Sequence, residues 1–172
     1  MSNNEERDPI RFVAVTLERR ERTHKQWSYV EWKATGVVPA RADDDEYRTL
    51  IHSEKGCQRY LCGPLPLRLD KDGSESYWNN LMGARPALFV VCRQDEVDGD
   101  MEPFIATFNY DEIIGFMEVD DHVFSFPIPD DLYDWVESYV INNYKPHTPK
   151  KRKRKTIAEE DHHGAPPAQR QH

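Results

Sequence analysis

Seven residues constrain this chain's fold more than any others: ALFVVCR, from Ala87 to Arg93. Six consecutive apolar positions offer no polar face to water, whether read at the period of a strand or of a helix. The run is short, stopped by Pro86 on one side and by the acidic stretch Gln94–Glu102, with Gly99, on the other. That length and flanking select a strand covered on both faces, hence a central one. A central strand requires neighbours along both edges and a covering layer. The rest of the chain must supply further strands and at least one amphipathic helix.

The covering helix is legible near the C-terminus. Leu132, Trp135, Val136, Tyr139, Val140 and Asn143 fall at i, i+3, i+4, i+7, i+8 and i+11 of Leu132–Tyr144, the stripe of a helix packed on a sheet. Pro129-Asp130-Asp131 precedes it as a cap. Two shorter helices are expected. Glu75–Met82 would have Ser74 as N-cap and Gly83 as its stop, and Asp111–Glu118 would open at Asn109 or Tyr110.

Strands are expected over Arg11–Arg19, Gln26–Pro39, Tyr47–Ser53, Gln58–Cys62, Phe104–Phe108 and Val123–Ile128, with Lys55-Gly56 turning a hairpin. Pro64 and Pro66 restrict the chain between them to an edge or extended stretch. The fold class is α+β: a mostly antiparallel sheet of six to seven strands, with two short helices and one longer C-terminal helix on one side of it. Residues 1–9 are expected to be a polar, disordered N-terminus, 10–145 a single α+β domain, and 146–172 a basic and then polar disordered tail.

Charge divides the chain sharply. From Lys145 onward eight Lys/Arg face three Asp/Glu, a net of +5, so the preceding 144 residues carry −13 of the overall −8. Such a division favours association of the tail with acidic surfaces, its own body included. No apolar run approaches the roughly 20 residues of a membrane span, and the N-terminus lacks the pattern of a secretory signal. A cytoplasmic location is expected. The three cysteines, Cys57, Cys62 and Cys92, suit a reducing compartment and lack metal-ligand spacing.

Motifs of catalysis are missing. No GxSxG, HExxH, glycine-rich phosphate loop or CxxC occurs, so the expected protein is not an enzyme and carries no cofactor or metal. Two features point to binding instead. In QWSYVEWKATGVVP the strand period sends Trp27, Tyr29, Glu31 and Lys33 to one face and Ser28, Val30, Trp32 and Ala34 to the other. Trp32 is the expected core anchor. The Trp27 face mixes aromatic and charged side chains, the composition of an interface centre. The second feature is the run Lys150, Lys151, Arg152, Lys153, Arg154 and Lys155, which suits phosphates or carboxylates and allows a polyanion or nucleic-acid module as the alternative reading.

Several segments, taken in order, carry a family likeness: LERRER, the Trp-x4-Trp strand ending in GVVP, YWNNL, RPALFVVCR, PFIATFNYDE and FPIP before an amphipathic helix and a basic end. From about Arg11 to Lys155 the chain resembles the bacterial family catalogued as domain of unknown function 3305. The resemblance implies a companion of molybdenum-dependent formate dehydrogenases, whose genes lie beside that enzyme and its maturation factors. The implied protein partner is therefore the dehydrogenase or one of those factors. No catalytic residues come with the resemblance.

Overall fold

The structure, a computed structural model, describes residues 9–119 and 121–147. In chain order the elements are β1 (Ile10–His24), β2 (Trp27–Ala40), β3 (Tyr47–Glu54), β4 (Cys57–Arg68), α1 (Ser74–Met82), β5 (Ala87–Gln94), β6 (Met101–Thr107), α2 (Tyr110–Met117), β7 (His122–Pro127) and α3 (Asp130–Asn143). Among the described residues the protein is α+β, with seven strands, all antiparallel, and the longest helix last. The strands divide between two sheets and do not form the one expected. The first has the order β2-β1-β4-β3 and the second β6-β5-β7.

Prolines mark the seam between the sheets. β3 reaches along β4 only as far as Gly63, opposite Tyr47. Beyond that point β4 continues through Pro64, Leu65 and Pro66, paired with β1 alone. Proline has no N–H to offer a ladder, so both prolines fall where one flank of the strand is free. β6 packs beside this flank, and Pro103 lines the seam from its side.

β5 is central in its sheet, and its apolar run serves two faces. Leu88, Val90 and Cys92 join the main core with Val13, Val15 and Leu17 of β1, Tyr77 and Leu81 of α1, and four residues of α3. Val91 faces the other way and is fully buried, where α2 packs and buries Ile113. Phe89 stacks with Tyr110, and Phe104 with Phe116, on that same side. Helices therefore cover both sides of the three-stranded sheet, which corrects the one-sided expectation. A strand apolar on both faces cannot leave either one to water.

The α3 stripe buries Leu132, Trp135, Val136 and Val140, half-buries Tyr139 and leaves Asn143 exposed at the helix end. Asn109 caps α2, its side-chain oxygen accepting from the N–H groups of Asp111 and Glu112 at 3.0 and 3.3 Å. α1 departs from its expected cap. Gly73, not Ser74, holds the N-cap position, and no side chain caps the helix. The Tyr77 ring explains this: a Cβ on Gly73 would meet its hydroxyl at 2.5 Å. Only glycine fits beneath that ring. Ser74 is buried in the first turn, its hydroxyl donating to the Asp70 carbonyl at 3.4 Å.

Asn80 joins the helical layer to the second sheet. Its amide nitrogen donates to the carbonyls of Ala87 and Phe108 at 2.7 and 3.0 Å, and its oxygen accepts from Ala87 N–H at 2.9 Å. One side chain thus satisfies three backbone groups at the start of β5 and the end of β6.

Candidate interaction surface

β1 and β2 pair from Phe12–Ala40 to His24–Trp27, and the direct partners share a face of the sheet. Trp27 lies opposite His24, Tyr29 opposite Arg22, Glu31 opposite Arg20, and Lys33 opposite Glu18. Glu18 lies in turn opposite Arg59 on β4, and Arg59 opposite His52 on β3. One face of the four-stranded sheet therefore carries Trp27, Tyr29, Glu31 and Lys33 together with residues from three other strands. The reverse face of β2 carries Trp32, 8% exposed and packed on Tyr60 with ring centroids 5.9 Å apart. The guanidinium of Arg48 stacks over both rings, 5.2 Å from one and 4.8 Å from the other.

The β1–β2 hairpin outreaches its neighbours. The last link to the β3–β4 turn is the Glu21 N–H bond to the Gly56 carbonyl at 2.8 Å. Beyond it the hairpin continues as two strands, and every residue from Glu21 to Glu31 is exposed. Trp27 is 78% exposed and Tyr29 53%. At the tip, Lys25 takes a left-handed φ of 54°, a conformation that costs a non-glycine residue about 1 kcal/mol. A tryptophan this exposed adds little packing energy to the fold that holds it.

At the centre of the face sits a charged cluster that the sequence reading did not identify. Glu18 is 2% exposed. One carboxylate oxygen accepts from Arg20 at 2.8 and 3.0 Å and lies 3.8 Å from the Lys33 ammonium; the other accepts from Arg59 at 2.9 Å. Burial, the largest single influence, pushes the Glu18 carboxyl up. The hydrogen bonds from Arg59 and Arg20, with the charges of Arg20 and Lys33, outweigh it and hold the group below its ordinary value. The cover is thin, because it consists of the three cations themselves, 38–48% exposed. Next along the face, Glu31 accepts from Arg22 at 2.8 Å and is likewise held low, chiefly by that hydrogen bond.

The cluster left one trace in the sequence, a glutamate directly following the apolar stretch FVAVTL. Its partners lie 2, 15 and 41 positions away, and only the strand register brings them together. The basic run Lys150, Lys151, Arg152, Lys153, Arg154 and Lys155 lies outside the described residues. Of the cysteines, Cys62 and Cys92 are buried thiols, raised by desolvation, Cys92 to about 12. Cys57 lies opposite Arg20 on the charged face and is partly exposed. No group of three or more His, Cys, Asp or Glu among the described residues is arranged to hold a metal ion. No helix among them is long and apolar enough to cross a membrane.

These features define an α+β protein of two antiparallel sheets, one of them bearing an aromatic-tipped, mixed-charge face open to solvent. The chain belongs to the family described as protein of unknown function (DUF3305), whose model matches residues 12–155. No curated protein and no solved structure matches it.

Proposed function

We propose that this protein is a non-enzymatic accessory protein that acts by binding another protein through the face carrying Trp27, Tyr29, Glu31 and Lys33. The observation that carries the reading is the exposure of Trp27 and Tyr29 at the end of a hairpin that extends past its own sheet. Aromatic side chains of this size, exposed beside arginines and carboxylates, are the residues that dominate binding energy at protein interfaces. Pairing of β2 with β1 along the whole face orders its backbone before docking, which lowers the entropy lost on binding.

The family resemblance directs the search for the partner to a molybdenum-dependent formate dehydrogenase, or to a factor that matures it. Co-purification of the tagged protein with the dehydrogenase from its own cells tests this. Trp27→Ala is expected to reduce the recovered partner at least tenfold while leaving the fold intact. Unchanged dehydrogenase activity and molybdenum content after deletion of the gene would refute the maturation role. Undiminished capture by Trp27→Ala would refute the surface.

A further inference from the structure

The seam between the sheets opens as a groove on the surface. Two adjoining hollows of about 260 and 440 Å³ share Glu46, Pro64, Leu65, Glu102 and Pro103 as walls. The groove's apolar surface comes from Pro64, Leu65 and Pro66 on the free flank of β4 and from Pro103 and Phe104 at the start of β6, and Arg48 and Arg93 also line it. The rims are acidic. Glu46 ends a loop with four consecutive acids from Asp43, and Glu102 ends a stretch with five from Asp95.

The groove's own cations are already engaged. Arg48 donates to the Met101 carbonyl at 3.1 Å, pairs with Asp100 at 3.4 Å and stacks on Trp32 and Tyr60. Arg93 pairs with Asp121 at 3.2 Å and stacks on Phe104 at 3.9 Å. Glu46 forms no ion pair among the described residues, and Glu102, 3.8 Å from the Arg48 guanidinium, keeps a side chain 74% exposed to further cations. An apolar floor between carboxylate rims suits long cationic side chains, whose stems lie on the floor while their heads reach the rims.

We infer that the groove walled by Pro64, Leu65 and Pro103 and rimmed by Glu46 and Glu102 docks the chain's own basic segment, Lys150–Lys155. The charges are complementary: six consecutive cations meet the most acidic part of a body that carries −13. The segment begins three residues after His147, where the described chain ends. The eight residues that follow His147, through Lys155, span up to about 28 Å when extended, a short tether that keeps the segment close to its own domain. While docked, these cations are withheld from any outside polyanion. The tail then binds phosphates only after the groove releases it.

Zero-length carbodiimide cross-linking of the full-length protein at low salt, read by peptide mass spectrometry, tests the docking. The expected products join Lys150, Lys151, Lys153 or Lys155 to Glu46, Glu102 or the acids adjoining them. They should disappear at about 0.5 M salt, where the screening length is near 4 Å. In the full-length double variant Glu46→Lys, Glu102→Lys these products should fall at least fivefold. Affinity for a single-stranded oligonucleotide at low salt should rise by a similar factor. Both substitutions are on exposed rims, and circular dichroism confirms the fold. Cross-links spread evenly over remote acids such as Glu54 and Glu137, or an unchanged pattern in the double variant, would overturn the inference.

Discussion

Glu18→Gln is the most informative single perturbation of the charged face, because the carboxylate at its centre serves three cations at once. The glutamine keeps one acceptor oxygen, so one arginine retains its hydrogen bond while the other meets an amide N–H2. The loss is one charge-assisted hydrogen bond, worth roughly 1.5–3 kcal/mol, together with the attraction that holds Lys33 nearby. Because the partners are 38–48% exposed and fall back on water, the lower part of that range applies. The expected destabilisation is about 2 kcal/mol at neutral pH. With an m-value of about 1.5 kcal/mol/M, the urea midpoint falls by about 1.3 M.

Linkage supplies a second readout. The Glu18 carboxyl is held low in the folded protein, so the unfolded chain binds its proton first as pH falls. Its contribution is fully present above the ordinary carboxyl value of about 4.3 and disappears as pH drops through the folded value. Urea titrations of the two proteins at about pH 7, 5, 4 and 3 should therefore show a gap that is constant at first and then closes. A gap below about 0.5 kcal/mol at neutral pH would refute the reasoning, since surface substitutions of no structural consequence fall within that range. So would a gap that fails to narrow between about pH 5 and pH 3.

Three further outcomes follow from the same structure. Trp32→Ala removes a buried ring that packs on both Tyr60 and Arg48 and should cost about 3–5 kcal/mol, whereas Trp27→Ala should stay within about 0.5 kcal/mol; equal effects in chemical denaturation would contradict the two burials. Asn80→Ala leaves the Ala87 and Phe108 carbonyls and the Ala87 N–H without their partner, and should lower stability by about 3 kcal/mol. Asn80→Asp should do no better, because a carboxylate cannot donate to two carbonyls. With a thiol reagent at about pH 8, Cys57 should react in the folded protein, while Cys62 and Cys92 should react only after denaturation; rapid loss of all three thiols would count against the fold.

The elements that could be read from the chain alone are those whose cause is local. A continuous apolar run of strand length must be buried on both faces wherever it lies, and β5 is. The stripe from Leu132 to Val140 follows from helical periodicity, and α3 buries it. The Asn109 cap depends on the residues two and three places after it, and the Lys55-Gly56 turn on a glycine whose φ of 75° other residues resist. The period of two sends Trp27 and Trp32 to opposite faces, but the exposure of Trp27 also needs the hairpin's overhang, since Ser28 and Val30 on the Trp32 face are exposed as well. Even here, the cap of α1 was misplaced by one residue, because Tyr77 folds back over Gly73 and a ring from the next turn decides who may sit there.

What the chain alone did not disclose is whatever depends on register between distant segments. The number of strands was legible, but not their division into two sheets, which occurs where β3 stops and prolines occupy the free flank of β4. The Glu18 cluster needs three strands aligned to the residue, and a one-place slip would turn every member to the opposite face. Asn80 looked like a helix residue in YWNNL, and its three bonds exist only because β5 and the end of β6 converge beneath it. The sequence by itself determined which residues must be buried and at what period. The tertiary structure alone decided which polar groups meet, because hydrophobic burial constrains a face, whereas a hydrogen bond constrains an address.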